Sequence, residues 1–314
     1  MNSRERHNLS PITIQLAVDG SEYSIAATHL LGDLPLPPGS QVSALGVLTP
    51  NRSPGRGALM AALEYVKKHL QARGVQVFTG LLHGRPAAAL IDFANEHRPD
   101  LVVIGARGLR ATLGVLLGGV AQQVVEHARW PVLVVRSPYE GLRRVLLVTD
   151  GSANSQRAVH YIVRIPLPRN IEVHAVHVLP PLETPDTHIP AGIARMSIVS
   201  SLFSHKGVTA ATRHAEAEEH QGWMLLRETV DELKVGQFEV VPVLRRGDAA
   251  TEILEHAKAH KVNWVVTGSR GFSAVKGWLL GSVSRQLIHQ CKCSVLLIPE
   301  QMEVGIPGLF SHDE

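Results

Sequence analysis

The chain repeats itself. "GARGLRATLGVLLGGVAQQV", beginning at Gly105, and "GSRGFSAVKGWLLGSVSRQL", beginning at Gly268, space their glycines alike: Gly105, Gly108 and Gly118 fall on Gly268, Gly271 and Gly281, each 163 residues on. The same offset carries Gly84 onto Gly247 and "PVLVVR" from Pro131 onto "SVLLIP" from Ser294. Any fold for this chain must therefore contain one unit twice.

Earlier in each copy the offset is shorter. "LAVDGSEYSIAA", with Asp19, Gly20 and Ser21, corresponds to "LVTDGSANSQRA", with Asp150, Gly151 and Ser152, only 131 residues on. The second copy thus carries about 32 extra residues, placed between a strand at 171–178 and a helix ending near Lys234; the segment at about 180–213 is the expected insertion. With 314 residues, the duplication predicts domain 1 over 1–138 and domain 2 over 139–314, meeting near "RSPYEGLRR".

Within the first copy, short apolar runs predict strands at 12–18, 41–48, 75–82, 101–104 and 132–135. Amphipathic runs between them predict helices at 21–31, 57–72, 86–96 and 120–127. Strand and helix alternate and the strands are nearly all apolar, which argues α/β architecture: two tandem doubly wound parallel-sheet domains with helices on both faces. In such sheets ligands bind outside the carboxyl ends of the strands, where strand order reverses.

Several features gather at that end. In the second copy the strand at 263–267 runs into Gly268, and Ser282 stands where a helix N-cap is expected before Val283, Leu287 and Ile288. A glycine loop between strand and helix can cradle phosphate, because small residues let backbone N–H groups reach an anion and the helix N-terminus adds favourable field. A lone glycine loop more often only makes turns. Here it recurs, each time with an aspartate after the first strand.

Composition sets limits. At 45% hydrophobic and 19% charged the chain is globular, and its formal charge of +3 is scattered, so nothing demands nucleic acid. No apolar run of about 18 residues suggests a membrane span, and the N-terminus does not read as a signal peptide, so a cytoplasmic protein is expected.

Aspartate-glycine-serine after the first strand, then G-x2-G-x9-G-[ST] and a terminal "PVLVV" strand, resembles the universal stress protein family, and the doubling resembles its tandem members. The resemblance covers about 12–299, outside the insertion and the tails. It implies an adenine nucleotide α-hydrolase-like fold and an ATP site, with or without Mg2+, in a stress-response protein that acts by nucleotide-dependent conformation and association. Carried over, adenine and ribose lie against Thr149, Asp150, Gly151, Ser152 and the strand end near Val176. Gly268, Gly271, Gly281, Ser282, Val283 and Ser284 face ribose and phosphates, and Arg270 either neutralises phosphate or is solvated.

The first copy departs at one place. Gly119 stands where the second has Ser282, so the site formed by Asp19, Val47, Gly105, Gly108, Gly118 and Gly119 keeps backbone donors but lacks the hydroxyl. A lost hydrogen bond to a charged phosphate costs about 1.5–3 kcal/mol, a factor of about ten to a hundred. The N-terminal site is therefore expected to be weak or vestigial. In the resembled family the final strand often forms dimers; the same strands here suggest an intrachain pseudo-dimer of the repeats and further association into a homodimer.

The alternatives are a slow ATPase, an AMP-binding protein, or a dimer scaffold that binds no nucleotide. Against an efficient enzyme stand the missing G-x-x-x-x-G-K-[ST] and G-x-G-x-x-G loops, and an aspartate with no partner base or nucleophile. His256 and His260 have helical ligand spacing but no third ligand in view, and read as solvated; His174 and His177 face opposite sides of a strand. Cys291 and Cys293 read as one buried and one surface thiol rather than a bridge. An amphipathic helix is expected to bury Trp223, Leu226, Val230 and Leu233, with the run from His214 to His220 as its solvated face. The insertion is either a short helix serving as lid or docking surface, or a mobile loop.

Overall fold

The computed structural model describes residues 10–49, 55–109, 117–168, 170–182, 199–271 and 280–300, with the backbone alone over 199–212. The first half runs β1 (Thr13–Ala17), α1 (Glu22–Asp33), β2 (Gln41–Leu48), α2 (Arg56–Gln71), β3 (Gln76–His83), α3 (Pro86–His97), β4 (Leu101–Gly105), α4 (Gly119–Glu126) and β5 (Val132–Val135). The second runs β6 (Arg144–Val148), α5 (Ala153–Arg164), β7 (Glu172–Leu179), α6 (Val199–Lys234), β8 (Glu239–Arg246), α7 (Ala249–Ala259), β9 (Trp264–Gly268), α8 (Ser282–Gln290) and β10 (Ser294–Ile298).

All ten strands form one sheet in the order β3-β2-β1-β4-β5-β10-β9-β6-β7-β8. Each half has the same doubly wound order, and every pairing within a half is parallel. The halves join where β5 and β10 pair antiparallel, with Val134 opposite Val295 and Val132 opposite Leu297. The final strands are thus interior to the joined sheet rather than bare edges. Their uninterrupted apolar sequence follows, because helices cover both faces.

Alternation along the strands splits the core between the two faces. Leu16, Leu133, Leu147 and Leu296 belong to one cluster, while Val102, Val134, Val265 and Leu297 belong to the other, so each cluster runs through both halves. A fully buried side chain of this size stabilises by about 1.5–3 kcal/mol. Polar ties cross the same junction: the Tyr161 hydroxyl donates to the Asp100 carbonyl at 2.9 Å, and the Arg136 backbone N–H donates to Ser294 Oγ at 3.1 Å.

α6 has 36 residues where α2 has 16, and this is where the second half is longer. The insertion is helical from Val199 onward, and residues 183–198 lie outside the described residues. α6 buries Gly222, Leu226, Thr229 and Leu233, but Trp223 is 45% exposed, because the face toward the sheet passes through Gly222 instead. The cysteines are free, with Cys291 buried and Cys293 half-buried, but for a different reason than strand alternation. Cys291 is the C-cap of α8 and Cys293 precedes β10, so strand alternation does not govern them, and their sulfurs lie 3.0 Å apart.

Candidate functional site

The two switch points, between β1 and β4 and between β6 and β9, form equivalent crevices at the carboxyl ends of the strands. At the first, Asp19 leaves β1 and its Oδ1 accepts the Ser21 N–H at 2.9 Å, while Oδ2 accepts the Leu109 N–H at 3.2 Å. Ser21 caps α1 by accepting from the Ser24 N–H. Gly20 has φ of +81°, which a side chain would strain, so the chain turns there from strand into cap.

The second crevice reproduces this arrangement. Asp150 Oδ1 accepts the Ser152 N–H at 3.0 Å, Ser152 caps α5 by accepting from Ser155, and Gly151 has φ of +81°. Thr149 is buried, and its Oγ1 donates to Ser155 Oγ at 3.3 Å. Thr149 thereby braces the loop at the place that Val18 holds in the wall of the first crevice.

Close approach explains the glycines. A Cβ at Gly108 would stand 2.6 Å from Asp19 Oδ2, and one at Gly271 would collide with Asp150 Oδ2. Gly105 and Gly268 lie against Tyr23 of α1 and Asn154 of α5, with contacts of 2.7 and 2.9 Å for an added Cβ. The Gly118 N–H donates to the Ala106 carbonyl at 2.7 Å and the Gly281 N–H to the Ser269 carbonyl at 2.8 Å, bringing each helix start back over its loop. The intervening residues 110–116 and 272–279 lie outside the described residues.

Five expected roles change. Ser282 is not the N-cap of α8: Gly281 is, because its carbonyl accepts the first helical bond, from Arg285. Ser282 is the exposed first helical residue, and Gly119 holds the same place in α4. Ser284 turns its side chain inward, donating to the Gly268 carbonyl at 2.7 Å, and Val283 packs against the core, so both can serve a ligand only through backbone N–H groups. Val176 is buried and its carbonyl accepts the Thr149 N–H, leaving Val178 as the counterpart of Val47, since Leu45 holds the Val18 N–H in the first half. Arg270 is neither solvated nor free, because Nη1 donates to Glu300 at 2.6 Å.

The halves differ most beside the helix that covers the crevice. In the first, a cleft of about 270 Å³ opens between Asp19, Gly20, Ala58, Ala62 and Tyr65. In the second, Leu225 of α6 takes the place of Ala62 and would meet a Cβ at Gly151 at 3.2 Å. His177 takes the place of Gly46 at the strand end, and its Nδ1–H donates to the Thr149 carbonyl at 2.9 Å. Space for His177 comes from Gly222 opposite, where the first half has Leu59 packed on Gly46. Sequence reasoning missed Leu225 and His177 as crevice residues, although the 163-residue offset that pairs Leu225 with Ala62 could have found the first.

The meeting of three imidazoles also escaped the sequence. His256 is buried rather than solvated, and its Nε2 lies 2.8 Å from Nδ1 of His174, with His260 stacked beside it. These residues sit toward the amino end of β7, away from the crevices.

The universal stress protein family profile matches residues 13–136 and 141–299. A universal stress protein of Methanocaldococcus jannaschii is 42% identical over 77 residues, 24% of this chain and 45% of that one; a relative in Mycobacterium bovis is 27% identical over 249 residues, 77% of this chain and 76% of that one. The first of these alignments spans less than half the relative's length. Among solved structures, a universal stress protein from Archaeoglobus fulgidus shares the fold, with a TM-score of 0.59 and 19% identity over 93% of this chain and 98% of that one.

Proposed function

The chain belongs to the universal stress protein family, and from that premise we propose that it is an adenine-nucleotide-binding regulatory protein whose ligands sit in the two switch-point crevices. The observation that carries this reading is the aspartate held against a glycine in both halves, Asp19 on Gly108 and Asp150 on Gly271. A carboxylate fixed at a strand's carboxyl end accepts ribose hydroxyls, while the orphan N–H groups of a helix start receive phosphate.

The crevices are unequal in opposite senses. ATP goes mainly to the C-terminal one, where exposed Ser282 adds a hydroxyl to the first-turn donors of α8. The N-terminal crevice lacks that hydroxyl but has room beside Asp19, which favours a nucleoside or AMP with little phosphate to satisfy. Among the described residues each crevice brings one carboxylate, already accepting backbone N–H groups, so binding that biases conformation and association is the function and efficient turnover is not. Because β5 and β10 consume one another, association between chains must use a different surface.

Calorimetric titration of ATP and of AMP into the full chain tests this. ATP binding weakened by Ser282→Ala, with AMP binding weakened by Ala62→Leu, supports the assignment. Saturable ATP or AMP binding indifferent to both substitutions contradicts it.

A further inference from the structure

The cluster around His174 is built as a metal site. Three nitrogens, one from each of His174, His256 and His260, lie within 4.8 Å of one another, drawn from β7 and from α7 with its C-cap. Zinc bound at ordinary Zn–N lengths of about 2.0–2.1 Å would hold them about 3.3 Å apart. The distances present bracket that figure, with His174 Nδ1 and His256 Nε2 at 2.8 Å.

The outer nitrogens are already committed. His174 Nε2–H donates to Glu172 Oε1, leaving Nδ1 with a lone pair facing the cluster. His260 Nδ1–H donates to the His256 carbonyl at 3.0 Å, leaving Nε2 in the same condition. Two of the three rings therefore hold the tautomer that a metal requires, one of them through the carboxylate–histidine arrangement common behind metal ligands. Arg144 braces the shell, donating to Glu172 at 3.2 Å and to the His260 carbonyl at 2.9 Å.

The third ring must change partners. His256 Nδ1 accepts from Arg245 at 3.4 Å, so its proton sits on Nε2 and points to His174. Binding a cation needs that proton moved to Nδ1 and Arg245 swung into solvent, which the exposed end of β8 permits. Glu172 offsets the positive charge brought near Arg144.

The other half serves as an internal control. The counterparts of His174 and His256 are Ser43 and Phe93, and Phe93 stacks on His97 at 3.8 Å as His256 stacks on His260 at 3.9 Å. The fold closes this position with a phenyl ring, so it does not require a cluster of buried imidazoles, whose burial costs solvation.

We propose that His174, His256 and His260 form a binding site for a divalent d-block cation, zinc first among them, with the fourth position left to water. Imidazole donors suit zinc, copper, nickel and cobalt, and three such ligands leave an open tetrahedral corner.

The test uses the untagged full chain, stripped with a chelator, titrated with zinc by calorimetry and with cobalt(II) by visible absorption. One zinc per chain and the strong absorption of tetrahedral cobalt are expected. His256→Phe and His174→Ser, which install the residues of the first half, remove both signals; the solvent-edge change His260→Gln also removes the tetrahedral spectrum, and Glu172→Gln weakens zinc by about 10–100-fold. Thermal melts confirm that the variants fold. If any of these destabilises the chain, His260→Gln at the solvent edge decides. Absence of saturable zinc in the native chain, or zinc and cobalt signals unchanged in His260→Gln, overturns the proposal.

Discussion

Asp19 and Gly108 face each other so closely that a Cβ on the glycine would stand 2.6 Å from the carboxylate Oδ2. Gly271 stands in the same relation to Asp150. The glycine loop and the loop after the first strand of each half are thereby closed into one crevice.

Gly271→Ala should therefore push the Asp150 loop out of place. Overpacking of this kind typically costs about 1–3 kcal/mol. Thermal unfolding should show a lower midpoint for Gly271→Ala than for the native chain, together with reduced ATP binding; Gly57→Ala within α2, where an added Cβ meets nothing within 4 Å, should lower neither.

The exchange of bulk between His177/Gly222 and Gly46/Leu59 predicts a compensating pair. Gly222→Leu alone drives the new side chain into His177 Cδ2 and Leu244, and His177→Gly alone leaves a gap. Combined, they rebuild the contact of the first half. A double-mutant cycle by chemical denaturation should give a favourable coupling of about 1–3 kcal/mol; additivity would count against the repacking.

Leu225 and Ala62 set the room beside the aspartates. Leu225→Ala should open a C-terminal cleft like the N-terminal one and raise affinity there for adenosine, which has no phosphate, relative to ATP. Ala62→Leu should lower adenosine binding at the N-terminal crevice. Competition titrations of the two ligands read both, and equal responses to adenosine and ATP would contradict this division of labour.

Ser282 and Gly119 hold the first helical positions of α8 and α4. Ser282→Ala should weaken ATP by about ten- to a hundredfold, the worth of one hydrogen bond to a charged group. The reciprocal Gly119→Ser fits without collision, since nothing lies within 4 Å of an added Cβ, and should strengthen triphosphate binding in the first half.

Much of the architecture was legible because it is written locally and twice. The run at 41–48 and the run at 132–135 are each apolar enough to be strands and end at turn residues, and repetition tied their counterparts to the same order. The aspartate and glycine positions were legible for the same reason. What escaped depends on direction and distance. Ser284 shares a motif with Ser282, but only the geometry of the first turn of α8 sends its hydroxyl to Gly268. Val176 and Val178 differ in which carbonyl the ladder uses, a matter of register. His174 and His256 are 82 residues apart, and nothing in their flanking residues shows that β7 and α7 bring them together. Arg270 looked free because Glu300, its partner, comes from beyond the next strand.

Native mass spectrometry of the full chain across an ATP titration counts the nucleotides that the two crevices hold. One ATP should bind first, lost in Ser282→Ala combined with Gly271→Ala, and a second only at higher concentration. A chain that stays free of nucleotide at millimolar ATP, AMP and adenosine would contradict this.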